Sequence, residues 1–128
     1  ALPISKEHIL NREHYMQMKG TEMFKIATRT LAKNAKKVIA DAGMTLKDVD
    51  WVIPHQANYR IIETTAKLLG ISMDKVVVNI DKYGNTSAAT VPMSFHEAVA
   101  DGRIQRGQIV LFDAFGAGLT HGATLLRY

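Results

Sequence analysis

Val52-Ile53-Pro54-His55-Gln56-Ala57-Asn58 decides how this chain is read: a short apolar run that stops at a proline and a histidine. A second apolar run, Val76-Val77-Val78-Asn79-Ile80, leads into Lys82-Tyr83-Gly84-Asn85-Thr86-Ser87-Ala88-Ala89. Each run has the composition of a buried strand, and each empties into a polar turn ahead of a helix-forming stretch. In open α/β sheets, ligands bind just beyond the carboxyl ends of such strands. His55 and Asn85 are therefore expected to face one cleft from two neighbouring strands.

The flanking sequence extends the same pattern. Residues 1–14 carry mixed charges and no sustained period, so they read as an irregular lead-in to a domain spanning 15–128. Tyr15-Met16-Gln17-Met18 alternates apolar and polar like a short strand, which Gly20 stops. Phe24, Ala27, Leu31, Ala35, Val38, Ile39 and Ala42 recur at helical spacing and predict an amphipathic helix ending at Gly43. Trp51-Val52-Ile53 forms the next strand, followed by a helix from about 57 to 69 that Gly70 closes. Val76–Ile80 is β-branched without alternation, as for a strand covered on both faces. Thr86 to Ala100 reads as a helix of small residues, in which Pro92, lacking an amide hydrogen, marks a kink or the effective start. Ile109–Phe112 is a further strand, turned by Gly116-Ala117-Gly118 into a hairpin with Leu119 to Tyr128. The order predicts a three-layer α/β domain. Its sheet is expected to be mostly parallel and five-stranded (β-α-β-α-β-α-β-β), with the last strand antiparallel.

Composition narrows the function. A chain of 128 residues, 47% hydrophobic and 22% charged, suits one globular domain. No apolar run approaches the ~20 residues of a membrane span, and the N-terminus lacks a charged-then-apolar leader, so a cytoplasmic protein is expected. With Cys 0, disulfides, thiolate metal sites and a cysteine nucleophile are all excluded within this chain. The net charge of +4 allows an acidic partner without requiring nucleic acid. Lys25, Arg29, Lys33, Lys36 and Lys37 share the polar side of the long helix, and read as a solvated face or, alternatively, as a docking surface for something acidic. The histidines at 8, 14, 55, 96 and 121 form no His-x-x-x-His pair and no cluster with carboxylates at ligand spacing, so no metal is expected. Gly116-Ala117-Gly118 joins two strands instead of opening a helix, which removes the dinucleotide reading.

His55 stands apart because its backbone aims it: it follows a buried strand and Pro54 at the mouth of a helix. The positive end of that helix disfavours imidazolium and favours a neutral ring. Neutral imidazole donates one hydrogen bond, and the Asn85 amide donates another without titrating. Two such donors converging on one carbonyl oxygen make an oxyanion hole for an enolate. The plainer alternative is a buried histidine bonded to backbone and a turn asparagine after Gly84.

Pro54-His55-Gln56-Ala57-Asn58, Gly84-Asn85-Thr86-Ser87-Ala88-Ala89 and Ala114-Phe115-Gly116-Ala117-Gly118-Leu119-Thr120, in that order, resemble the C-terminal half of a β-ketoacyl-acyl carrier protein synthase III, a thiolase-fold condensing enzyme. The resemblance runs from about Tyr15 to Tyr128. It implies that His55 and Asn85 hold the thioester carbonyl of malonyl-acyl carrier protein during decarboxylation, after which the carbanion attacks an acyl-cysteine loaded from acyl-CoA. It implies a carrier-protein-binding stretch at Gln56, Ala57, Asn58, Tyr59 and Arg60, supported by Lys67 and Lys25. It likewise implies a pantetheine channel lined by Gly20, Phe24, Ala57 and Asn58, and an active-site lining from Phe115 and Ala117. Relatives often carry glycine at 117 and tryptophan at 121. CoA and phosphopantetheine thioesters enter as substrates, with no cofactor, no nucleic acid and no membrane. The cysteine belongs to an N-terminal half that this chain lacks, so the chain is expected to be inactive in condensation alone. The surface that packs on that half, including Thr86 to Ala100, is expected to be apolar and to drive self-association. The whole enzyme is expected to be a homodimer. A related condensing enzyme of secondary metabolism, or a non-catalytic carrier-binding module, is the alternative.

Overall fold

The computed structural model describes residues 3–15 and 18–128. The expected lead-in contains a short helix, α1 (Lys6–Leu10), set by a capping box in which Ser5 Oγ accepts from His8 N–H and His8 Nδ1 accepts from Ser5 N–H. That local exchange satisfies two backbone donors without any apolar period, which is why the pattern of residues 1–14 did not reveal it. The strand expected at Tyr15–Met18 passes through residues outside the described ones; Tyr15 and Met18 themselves are exposed and belong to no strand.

The long amphipathic helix is α2 (Gly20–Asp41), with Ala27, Leu31, Ala35 and Ile39 buried at helical spacing and all five cations exposed. β1 (Trp51–Pro54) follows, then α3 (Tyr59–Leu69), capped by the Asn58 side chain, which accepts from Arg60 N–H at 2.9 Å. Gly70 ends α3 at φ +83, the left-handed position that a glycine occupies without side-chain strain. A single turn, α4 (Ile80–Tyr83), precedes the loop carrying Asn85, and α5 (Thr90–Ala100) begins two residues before Pro92. Proline thus sits in the first turn, where its missing N–H has no helical partner to lose. β2 (Ile109–Gly116) and β3 (Thr120–Arg127) form the expected hairpin.

The sheet has order β1-β2-β3, with β1 and β2 parallel and β2 and β3 antiparallel. The three-layer α/β architecture and the antiparallel last strand stand as expected. Alternation along the strands sorts the two faces: Val52, Ile109 and Leu111 join α2 and α3 in one core, whereas Ile53 and Val110 join Ala98 of α5 in the other. Phe95 of α5 meets Phe112 and Tyr128 edge-on at 5.4 Å each, closing the second core.

Among the described residues the expected five-stranded, mostly parallel sheet is a three-stranded mixed one, with one parallel and one antiparallel pair. Of Val76–Ile80, Val76 is extended and is buried together with Val77, Ile80 already belongs to α4, and the run makes a single parallel bridge, Val52 to Val76. Val77 N–H donates to Val52 C=O at 2.9 Å. The next rung of a parallel ladder calls for the N–H of Pro54 to reach Val77 C=O, and proline has none. Gln56 fills the gap with its side chain: Nε2 donates to Val77 C=O at 3.1 Å and to Pro54 C=O at 2.9 Å, and Oε1 accepts from Asn79 N–H at 3.1 Å. A primary amide presents the same donor and acceptor as a peptide group, so the ladder continues through a side chain. Beyond Asn79 the backbone turns into α4.

Gln56→Leu keeps the side-chain bulk and removes the partner of three buried groups, Pro54 C=O, Val77 C=O and Asn79 N–H. At about 1–3 kcal/mol per orphaned group, unfolding stability should fall by at least about 3 kcal/mol, read as a lower urea midpoint with an unchanged m-value.

Candidate active site

His55 follows directly from β1 and is tied to β2, its N–H donating to Asp113 C=O at 2.8 Å. Its ring is half-buried, and Nδ1 lies 2.6 Å from Thr90 Oγ1 in the first turn of α5. The edge of Phe115 meets the ring at a centroid distance of 5.6 Å and an interplanar angle of 77°. Burial pushes the imidazole pKa below its ordinary 6.5, so the ring is neutral at pH 7. Desolvation accounts for the neutrality expected from the sequence.

Asn85 is exposed in the loop between α4 and α5, following Gly84 at φ +67. Its Oδ1 accepts from Ser87 N–H at 2.9 Å, an Asx turn that fixes which end of the amide is engaged. The NH₂ end has no hydrogen-bond partner among the described residues. Ser87 takes φ +56 to close this turn, and its carbonyl lies 3.0 Å from Thr90 Oγ1. His55 and Asn85 are thus joined by three hydrogen-bonded contacts running through Thr90 and Ser87. The site offers two neutral groups at the carboxyl ends of adjacent extended segments, set by loop geometry and not by charge.

The other expected site residues divide. Gln56 is 1% exposed and bonds the fold from within, so it cannot belong to a carrier-binding surface. Asn58 is exposed, but its side-chain oxygen caps α3. Tyr59, Arg60 and Lys67 are exposed on α3, and Lys25 is exposed on α2, which packs against α3. Arg60 and Lys67 are seven positions apart and share a helix face; Glu63 and Thr64 lie between them on it. Ala57 and Phe24 are half-buried and Gly20 is exposed at the start of α2. Phe115 lines a pocket of about 120 Å³ with Ile26, Ala27, Thr30, Leu119 and His121, directly beside His55. Ala117 is exposed in the glycine turn and does not line that pocket. Sequence reasoning passed over Ile26, Ala27 and Thr30, although Ala27 belongs to the α2 stripe it identified. Among the described residues, no three His, Asp or Glu side chains are grouped to hold a metal.

Two buried polar features also went unread. Asn79 is 3% exposed and fully engaged: Oδ1 accepts from Ser94 Oγ at 2.8 Å and Nδ2 donates to Glu97 Oε2 at 2.8 Å. Lys82 completes the chain by pairing with Glu97, and the Lys82 ammonium together with the Asn79 amide holds the Glu97 carboxyl below its ordinary range. Asp113, on β2 opposite Pro54, is 2% exposed, and neither carboxyl oxygen has a partner among the described residues. Burial raises its pKa from 3.8 to about 8, so it is mostly protonated at neutral pH. Its place after Ile109 and Leu111, two positions on along the buried face of β2, was the available signal.

Comparison with known proteins decides the family. Residues 39–128 match the family model for the 3-oxoacyl-[acyl-carrier-protein (ACP)] synthase III C terminal. The chain belongs to this family. A β-ketoacyl-[acyl-carrier-protein] synthase III 1 of Vibrio vulnificus is 52% identical over 116 residues, which is 91% of this chain and 37% of the relative. The synthase III of Yersinia enterocolitica is 49% identical over 128 residues, 100% of this chain and 40% of the relative. The crystal structure of 3-oxoacyl-[acyl-carrier-protein] synthase III from Aquifex aeolicus superposes with a TM-score of 0.87 at 51% identity, over 89% of this chain and 37% of that one. This synthase III C-terminal domain therefore spans about two-fifths of the length of the curated relatives it matches. The thiolase-like fold expected from the sequence is that of these neighbours.

Asp113 gives the domain a pH signature. Its folded pKa lies above its unfolded one, so its stabilising effect is complete below pH 4 and is lost as pH rises toward 8. At about 1.4 kcal/mol per pKa unit, the loss amounts to several kcal/mol. Asp113→Asn should remove that slope, leaving the variant more stable than the parent at pH 8 and close to it at pH 4, by thermal unfolding across the pH range.

Proposed function

We propose that this chain is the decarboxylating half of a β-ketoacyl-acyl carrier protein synthase III, in which His55 and Asn85 stabilise the enolate of malonyl-acyl carrier protein. The observation that carries this reading is the hydrogen-bond state of the pair. Oδ1 of Asn85 is held by Ser87 N–H, so its NH₂ points away from the turn, and His55 is neutral with one ring nitrogen engaged by Thr90.

The chemistry follows from those donors. The bond between the malonyl carboxylate and its α-carbon breaks, carbon dioxide leaves, and the electron pair passes onto the thioester carbonyl oxygen. A donor that is itself neutral stabilises this charge as it forms without binding the substrate carboxylate as an ion pair, which would favour the ground state. The α-carbon then attacks the carbonyl of an acyl group held as a thioester, and the thiolate departs. No cysteine is present here, so the acyl-bearing nucleophile comes from a second polypeptide segment, matching the share of the relatives' length that this chain leaves uncovered. Exposed Pro92, His96 and Ala100 on α5 are the side of the domain that such a segment would cover.

The acidic carrier protein is proposed to dock on the exposed end of α3, with Arg60 as the principal contact and Lys67 and Lys25 adding positive potential. The pocket beside Phe115, of mixed apolar and polar lining, supports a path for the pantetheine arm toward His55. Acyl-CoA is the proposed acyl donor, and a homodimer the proposed assembly of the whole enzyme.

Release of carbon dioxide from malonyl-acyl carrier protein, measured with and without a cysteine-bearing N-terminal half, tests the reading. Release should appear on mixing and fall about 10²–10³-fold in His55→Ala or Asn85→Ala; release that persists in both variants refutes the assigned pair. No release from folded, mixed protein would favour a docking module instead.

Arg60→Glu should weaken carrier-protein binding about tenfold at low salt, an effect that 0.5 M salt, with a Debye length of about 4 Å, largely erases. Titration calorimetry at the two ionic strengths checks both halves of that expectation.

A further inference from the structure

Thr90 occupies the back of the His55 ring. Its Oγ1 is 2.6 Å from Nδ1, and Nε2 has no hydrogen-bond partner among the described residues. The residue is 2% exposed and fixed at the start of α5, where its own C=O lies 2.8 Å from Ser94 Oγ. Water therefore does not replace its hydroxyl. A neutral imidazole carries a single ring proton, and the group bonded to one nitrogen sets which nitrogen holds it.

The hydroxyl has one proton and two acceptors within reach: Nδ1 of His55, and the C=O of Ser87 at 3.0 Å. If the proton goes to Ser87, Nδ1 must carry the ring proton and Nε2 is left bare, unable to donate. If it goes to Nδ1, the ring proton resides on Nε2. Ser87 C=O already accepts the backbone N–H of Thr90, so it does not depend on the hydroxyl, whereas Nδ1 has no other partner among the described residues. The shorter contact is also the one to Nδ1.

We propose that Thr90 is a positioning residue that fixes His55 as its Nε2–H tautomer by donating its hydroxyl proton to Nδ1. The assignment rests on the donor role given to His55 above: only this tautomer turns an N–H outward from the Thr90 side of the ring. It also gives α5 a part in the chemistry, because the helix that closes the second core holds the hydroxyl behind the ring.

The test uses the enzyme assembled from this chain and its cysteine-bearing half, with ¹⁵N-labelled histidine. Long-range proton–nitrogen correlation separates a protonated ring nitrogen from a bare one. The parent should show Nε2–H at His55. Thr90→Val, which keeps the shape and removes the hydroxyl, should populate Nδ1–H or a mixture and lower carbon dioxide release by about 10–100-fold, the cost typical of removing a partner that orients a working histidine. Thr90→Ser should restore both the tautomer and, to within about threefold, the rate. An Nδ1–H signal in the parent overturns the proposal with no variant needed, as does an unchanged Nε2–H signal in folded Thr90→Val. If the tautomer moves with the hydroxyl while carbon dioxide release does not follow, Thr90 keeps its role and the decarboxylation reading of His55 is what fails.

Discussion

The missing N–H of Pro54 organises this end of the molecule. A parallel ladder that had begun at Val52 loses its next rung there, and the Gln56 amide takes over by pairing with Val77 and Asn79. Because Gln56 is drawn inward, the residue before it is left at the cleft, with His55 N–H held by Asp113 on the opposite edge of β1. The same substitution ends the neighbouring extended segment at Asn79, so that its chain turns through α4 into the loop that carries Asn85. One absent proton thus places both candidate catalytic groups.

Neutrality is the second theme. His55 is held uncharged by burial, Asn85 has no charge to lose, and Asp113 behind them is protonated over most of the physiological range. Lys82 of α4 and Glu97 of α5 neutralise one another, with Asn79 joining them to Ser94. The role proposed for this site, stabilising an anion as it forms without binding a carboxylate before it reacts, gains from this distribution. The buried carboxyl of Asp113 departs from full hydrogen bonding, as does the buried Thr65 hydroxyl on α3. The carboxyl costs stability as pH rises, and nothing among the described residues compensates it.

The two cores of the domain differ in what surrounds them. α2 and α3 cover one face of the sheet and send their cations outward, with Ile26, Tyr59 and Leu68 also exposed on that side. α5 covers the other face with Phe95, Val91 and Val99, yet leaves Pro92, His96 and Ala100 exposed.

The sequence by itself determined the alternation of helices and strands, the α2 stripe, the C-terminal hairpin and the family, because each rests on local periodicity, glycine stops or a run of consecutive residues. His55 and Asn85 were legible for the same reason: Pro54 and Gly84 announce where the backbone turns, and the side chains that follow are aimed by those turns. Tertiary structure decided what depends on partners distant in sequence. The β-branched run at Val76–Ile80 looks like a strand, and whether it pairs as one is settled by the proline on its neighbour. Gln56 resembles a surface residue until its amide meets Val77 and Asn79, more than twenty positions on. Thr90 and Asp113 carried no local signal strong enough to single them out. A hydroxyl 2.6 Å from a ring nitrogen and a carboxyl without a partner are facts of packing, and packing is fixed when the layers close.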